Sequence, residues 1–227
     1  SRIRVPGGYL PAEVLGMVQE ISQKYGNGVI HLTTRQGFEI EGIHYEDMDE
    51  INLMLQPIIE KLGINQEHPG TGYPASGTRN VSACIGSNVC PFANYNTAEL
   101  AKKIDKAIFP NDIHVKVALT GCSNDCAKAR MHDFGIIGMT MPQYDPTRCV
   151  SCEACIKGCK SLSVNALSME NYKIVRDTNK CIGCGVCVTK CPTRAWTRSK
   201  KKYYKLSIMG RTGKKNPRLG EDFLVWV

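Results

Sequence analysis

Twelve of the 227 residues are cysteine, and their spacing is the feature most readily tied to chemistry. Eight fall in two matched runs, Cys149-x2-Cys152-x2-Cys155-x3-Cys159 and Cys181-x2-Cys184-x2-Cys187-x3-Cys191, the second followed by Pro192. Thiols crowded onto one tight loop suit a shared metal centre better than mutual disulfides, and they point to a reducing compartment. Four more cysteines lie upstream as Cys84-x5-Cys90 and Cys122-x3-Cys126. Buried structural thiols and a third metal centre are the two readings open for them.

The double run closely resembles the two-cluster bacterial ferredoxins, in which the fourth cysteine of each run ligates the other cluster. The resemblance assigns Cys149, Cys152, Cys155 and Cys191 to one [4Fe–4S] cluster and Cys181, Cys184, Cys187 and Cys159 to a second. Small residues at Gly183 and Gly185 would let backbone N–H groups approach the sulfurs. Lys160 departs from the usual proline after Cys159. Zinc is the competing reading for C-x2-C pairs, and two matched four-cysteine runs weigh against it.

The segments Asn80-Val-Ser-Ala-Cys84-Ile-Gly-Ser-Asn-Val-Cys90-Pro91 and Thr120-Gly-Cys122-Ser-Asn-Asp-Cys126 resemble the signature of the sirohaem sulfite and nitrite reductases. The resemblance implies a third [4Fe–4S] cluster on Cys84, Cys90, Cys122 and Cys126, with Cys126 also bridging to the sirohaem iron. It further implies stations of basic residues, because both sirohaem and sulfite are anionic. Arg2, Arg79, His114 and Lys116 match the substrate side. His31, Thr33, Arg35, Arg211 and Lys214 match contacts to sirohaem carboxylates. His114 stands where the family often has lysine, which replaces a permanent cation with a titrating one. Gly210-Arg211-Thr-Gly213-Lys214-Lys215 is not a P-loop, since both spacing and the final hydroxyl fail. Arg198-Ser-Lys200-Lys201-Lys202 reads as a solvated basic linker.

The elements that must position these groups follow from periodicity and punctuation. Ile3 to Val5 reads as a strand. Pro11 opens a helix with an apolar stripe of Val14, Leu15, Val18 and Ile21 that Gly26 ends. Val29 to Thr33 and Phe38 to Ile43 read as strands joined at Gln36-Gly37. Glu46 to Leu62 reads as a helix that Pro57 should kink or restart. Together these make most of a ferredoxin-like βαββαβ unit. Beyond a linker at His68 to Pro74, Asn96 with Glu99 caps a helix that stops at Phe109-Pro110, and a strand from His114 to Leu119 leads to the second cysteine pair. Phe134 to Met139 and Tyr203 to Met209 read as strands flanking the double cysteine run.

The expected class is therefore α+β: a ferredoxin-like half-domain (1–67), a discontinuous sirohaem and [4Fe–4S] domain (74–141 and 201–227), and an inserted two-cluster ferredoxin domain (142–200). An insert of that size has too little apolar core to fold alone, and metal would supply the missing stability. A net charge of +8 fits an anionic ligand without singling out nucleic acid. No apolar run approaches the ~20 residues of a membrane span, and the start lacks a signal-peptide core. With no initiator Met, the chain reads as beginning inside a longer protein, and cassette-bearing members of the family normally continue past Val227 as well. The resemblance implies a cytoplasmic enzyme reducing sulfite to sulfide with sirohaem and three [4Fe–4S] clusters. It implies ferredoxin-type and flavin-bearing, NADH-oxidising donor subunits. A homodimer with shared sites is expected, because the chain holds one half of a family built from two. A sirohaem nitrite reductase and a non-catalytic polyferredoxin subunit are the alternatives.

Overall fold

The computed structural model describes residues 1–213 and 215–227. It begins with a short strand, β1 (Arg2–Ile3), and a helix, α1 (Glu13–Tyr25), headed by Pro11. Val14, Val18 and Ile21 recur at helical spacing and are buried, while Leu15, counted in the same stripe from sequence, faces solvent. Strands β2 (Ile30–Leu32) and β3 (Phe38–Ile40) follow, and β3 lies between β1 and β2 in a three-stranded antiparallel sheet. Helix α2 (Met48–Leu62) runs through Pro57 without a break and ends at Gly63, whose positive φ suits a left-handed cap. The two helices and the sheet enclose one core, with Ile3, Val5, Phe38, Ile51 and Ile58 at its centre.

The second unit is a five-stranded mixed sheet whose strands lie side by side in the order Glu221–Val225 (β12), Tyr203–Ile208 (β11), Phe134–Met139 (β6), Val117–Thr120 (β5) and Ser82–Ala83 (β4). Strands β4 (Ser82–Ala83), β5 (Val117–Thr120) and β6 (Phe134–Met139) run parallel; β11 (Tyr203–Ile208) and β12 (Glu221–Val225) add antiparallel. The parallel β4–β5 connection is made by α3 (Thr97–Ile108), which Asn96 caps by accepting from the Glu99 N–H at 3.2 Å. Strands β6 and β11 pair directly from Met139↔Tyr203 to Phe134↔Ile208. The chain between them leaves and returns at one point, where the Ser199 N–H donates to Thr140 Oγ1 at 3.2 Å.

That intervening stretch holds β7 (Gln143–Tyr144), α4 (Ala154–Ser161), β8 (Leu167–Glu170), β9 (Lys173–Arg176), α5 (Val186–Lys190) and β10 (Trp196–Thr197). Two small antiparallel pairs, β7–β10 and β8–β9, flank the helices. Its core is made largely of Cys155, Cys159, Cys187, Ile156, Leu167, Ile174 and Trp196. No helix among the described residues is long and apolar enough to cross a membrane.

A buried ion pair fastens the first unit to the second. Arg4, just beyond β1, donates to Asp105 Oδ1 at 2.5 Å and to the Thr78 carbonyl at 2.7 Å, and its guanidinium lies 3.7 Å over the Phe109 ring. Burial pushes the Asp105 carboxyl up, and Arg4 pulls it back. Removing one partner of such a pair strands the other charge, at a cost of about 3–5 kcal/mol. Asp105→Ala should therefore lower the urea midpoint strongly, whereas Lys103→Ala, which breaks an exposed pair with Glu99, should leave it unmoved. Equal midpoints for the two variants would contradict this role.

Candidate functional site

Parallel pairing delivers the first four cysteines to one edge of the large sheet. Strand β4 runs straight into Cys84 and β5 leads through Gly121 into Cys122; the Cys84 N–H donates to the Leu119 carbonyl at 3.0 Å. Cys90 is returned by a tight turn in which its N–H meets the Gly86 carbonyl at 2.9 Å. The Gly121 N–H points at Cys84 Sγ, 3.1 Å away, and a Cβ at Gly121 would come within 2.5 Å of the Ala93 Cβ. Asn124 Nδ2 donates to Cys126 Sγ at 3.1 Å. Cys122 is buried, Cys84 and Cys90 are half-buried, and Cys126 is exposed. Burial pushes the Cys122 thiol up, and its neighbours Cys90, Cys126 and Cys84 push it further.

The insert sets one cysteine of its first run among three of its second, and one of its second beside its first. Cys159 from the first run lines one small cavity with Cys181, Cys184 and Cys187 from the second. On the other side Cys155 stands near Cys191, and Tyr144 near both Cys149 and Cys155. Cys152 is exposed. Backbone N–H groups reach the sulfurs: Ala166 to Cys159 at 3.3 Å, Ala195 to Cys191 at 3.2 Å and Ser151 to Cys149 at 3.4 Å. Burial pushes the Cys187 thiol up to about 12. At Cys191 burial acts in the same direction, but N–H and hydroxyl donors from Trp196, Thr193 and Ala195 outweigh it and hold the thiol low.

These residues fit iron–sulfur clusters. All twelve thiols are free of disulfides. Among the described residues, no three His, Cys, Asp or Glu side chains gather tightly enough to chelate a single metal ion. Two of the thiol groups line cavities instead. A cavity of ≈ 380 Å³ is walled by Cys90, Cys122 and Cys126 on one side and by Ile182 and Cys184 of the insert on the other. Trp196 Nε1 is buried and directed at the Cys155 thiol without a well-formed hydrogen bond, a donor that a cluster-ligating thiolate at Cys155 would satisfy.

The basic residues gather only in part. Arg2, Thr33, Arg35, Arg79 and Asn80 line one small cavity beside the β2–β3 turn. Burial, with Arg79 and Arg2 close by, pushes the Arg35 guanidinium below its usual range, as expected of cations crowded without enough counter-charge. Glu39, which the sequence did not flag, takes up two of the expected ligands: it pairs with Arg2 and accepts from His31 Nδ1 at 3.1 Å. Arg79 Nε donates to His114 Nε2 at 3.1 Å, so the imidazole is engaged by the arginine beside it. Lys116 does not line this cavity; its backbone N–H meets Asp133 Oδ2 at 2.8 Å. Arg211 is exposed on the β11–β12 hairpin, bridged to Arg218, and Lys214 lies outside the described residues. Gln36 is a further positioning residue that sequence reasoning missed. Its side-chain amide donates to the Ala83 carbonyl at 2.7 Å and accepts the Ala83 N–H at 2.8 Å, pinning the turn beside Cys84.

At Arg198 the solvated-linker reading fails, while Lys200, Lys201 and Lys202 are exposed as that reading expects. Arg198 Nε donates to Asn94 Oδ1 at 3.1 Å and Nη2 to the Pro91 carbonyl at 2.5 Å, while Asn94 N–H meets the Gly121 carbonyl at 2.7 Å. One side chain thus ties the exit of the insert to the loops carrying Cys90 and Cys122.

Two family models match the chain: the nitrite and sulphite reductase 4Fe-4S domain over residues 75–227, and the nitrite/sulfite reductase ferredoxin-like half domain over residues 1–58. The chain is 45% identical over 230 residues to one of the subunits of the anaerobic sulfite reductase of Salmonella typhimurium, covering 99% of this chain and 68% of that protein. It is 30% identical over 174 residues to the coenzyme F420-dependent sulfite reductase of Methanocaldococcus jannaschii, covering 75% of this chain and 26% of that one. The crystal structure of dissimilatory sulfite reductase I shares the fold, with a TM-score of 0.75 at 17% identity over all of this chain and 57% of its own.

If Arg198 is the tie described, Arg198→Ala should speed hydrogen exchange at the amides of Asn94, Thr140 and Ser199 while leaving α1 and α2 unchanged. Unaltered exchange at those three positions would show that the insert is held by other contacts.

Proposed function

The chain belongs to the nitrite and sulphite reductase family, and on that premise we propose that it is the catalytic subunit of a cytoplasmic, sirohaem-dependent sulfite reductase. The reaction is HSO3⁻ + 6e⁻ + 6H⁺ → HS⁻ + 3H2O. In this reading the half-domain is 1–67, the cofactor domain 74–141 with 201–227, and the ferredoxin domain 142–200. Cys84, Cys90, Cys122 and Cys126 would hold one [4Fe–4S] cluster. Cys149, Cys152, Cys155 and Cys191 would hold a second, and Cys181, Cys184, Cys187 and Cys159 a third. The observation that carries the reading is that Cys126, the exposed member of its four, lines the ≈ 380 Å³ cavity together with Cys90 and Cys122, which leaves room beside these thiols for a second group. Bound there, sirohaem supplies the iron that takes the substrate, and the clusters supply its electrons.

The chain's own residues would handle the anion. Arg79 would offset its charge and polarise its S–O bonds, an effect that grows as those bonds break, with Arg35 beside it assigned to sirohaem carboxylates. Arg2, already paired with Glu39, contributes less. His114 orients the Arg79 guanidinium by accepting from Nε, and Thr33 Oγ1 accepts the Gly37 N–H at 3.0 Å, shaping the turn that carries Arg35. Arg211 and Lys214 are assigned to sirohaem carboxylates, and Lys116 to the substrate side.

A C2 homodimer with shared sites completes the reading. Arg79, His114 and Lys116 stand where β4 and β5 begin, and Cys84 and Cys122 where they end. The separation is about 15 to 20 Å along the strands, and in one chain the arginine cavity and the Cys126 cavity have no residue in common. Arg2, Arg79 and Lys116 of one copy would face the sirohaem held by Cys126 of the other. Ferredoxin-type and flavin-bearing, NADH-oxidising subunits would deliver the electrons.

Loss of a charge-assisted hydrogen bond is worth about 1.5–3 kcal/mol, so Arg79→Ala should lower kcat/KM for sulfite roughly 10- to 100-fold. Cys126→Ser should abolish turnover. Verified mixed dimers of these two chains should regain partial sulfite reduction, because one intact site is restored. No recovery would defeat the shared-site arrangement, and full activity in Cys126→Ser would defeat the catalytic assignment itself.

A further inference from the structure

The two cysteine runs of the insert repeat one ligand pattern, yet the residue five positions before each run differs in charge. Tyr144 precedes Cys149 and Arg176 precedes Cys181 by the same five residues. Both are the last residue of a short strand, β7 and β9. Tyr144 is neutral and lies against Trp196, ring centroids 4.7 Å apart. Arg176 lines the cavity of Cys159, Cys181, Cys184 and Cys187, and its Nη1 points at Cys181 Sγ, 3.8 Å away. Among the described residues it makes no ion pair with a carboxylate that would cancel its charge. The guanidinium therefore acts on one ligand set, whereas among the described residues no cationic side chain donates to a sulfur of the other, which Tyr144 meets with a neutral hydroxyl.

A cation that donates to a ligand sulfur stabilises the more negative, reduced state of a cluster and raises its reduction potential. We propose that Arg176 breaks the symmetry of the cassette by making the cluster on Cys159, Cys181, Cys184 and Cys187 more easily reduced than its twin. The inference rests on the ferredoxin reading of the insert. Its functional sense comes from position: Cys184 and Ile182 of this set wall the same cavity as Cys90, Cys122 and Cys126. The more electron-attracting ligand set thus lies next to the thiols of the sheet edge, and the neutral one lies away from them.

Redox titration of the holoprotein, followed by electron paramagnetic resonance, tests this without reference to turnover. In Arg176→Gln the midpoint potential of one cassette cluster should fall while the other two clusters hold theirs. Arg176→Lys, which keeps the charge, should restore most of the difference. Three unmoved potentials in an iron-replete Arg176→Gln protein would overturn the assignment. So would an Arg176→Lys variant whose potential falls as far as that of the glutamine variant. Tyr144→Arg gives an independent arm, leaving Arg176 in place: it should raise the potential of the other cassette cluster, and an unmoved value there counts against the charge argument even if Arg176→Gln fails to hold its iron. Wild-type protein lacking two cassette-cluster signals would instead refute the ferredoxin reading, and this inference with it.

Discussion

The parallel register of β4 and β5, with Ser82 opposite Ala118 and Ala83 opposite Leu119, sets the geometry on which the site depends. Side-by-side strands of one direction must end at the same edge, and each ends one or two residues before a cysteine. That register also gathers Arg79 and His114 at the opposite edge, where Arg79 N–H meets the Val115 carbonyl at 2.9 Å. A slip of one residue would turn both cysteines away from each other and send the alternate face of each strand into the core. The Gln36 amide, bonded twice to Ala83, locks the first unit onto the same register. Arg4 does so again through Asp105.

The insert obeys a different constraint. Its core contains cysteines where a domain of ordinary size would have aliphatic side chains, and burial pushes the Cys155 and Cys187 thiols up, favouring their protonated form. If the insert holds the clusters proposed for it, exchanging those protons for iron would turn weak apolar contacts into a metal core, and cluster assembly and folding of the stretch from 142 to 200 would be one event. Direct pairing of β6 with β11 lets this happen without disturbing the large sheet. The Thr140–Ser199 contact closes the neck, and Arg198 sets the insert against the Cys90 loop.

Much of the site was legible from residue type and spacing, and what was not has identifiable physical causes. Cysteine spacing carries its own geometry, so the runs at 149–159 and 181–191 could be read before any fold was known. Strand and helix periods placed α1, α2 and α3 closely, though Leu15 shows that a stripe only three residues deep does not settle which flank faces water. Isolated charges were read less well, because a charge is defined by its partner and partners are distant in sequence. Glu39 pairs with Arg2 from 37 residues away, Asp105 with Arg4 from 101, and Asn94 with Arg198 from 104. His114, read as a titrating group in place of a lysine, meets Arg79 from 35 residues away, one strand over. Pro57, read as a break, is accommodated within α2.

The central claim is that Cys126 joins a cluster to a haem iron, which separates this chain from a pure electron carrier. The absorption spectrum of the protein isolated anaerobically with its native cofactors tests this most directly. The account predicts a sharp Soret band and an α band from sirohaem superimposed on broad iron–sulfur absorbance. Broad iron–sulfur absorbance alone, from protein replete in iron, would contradict it.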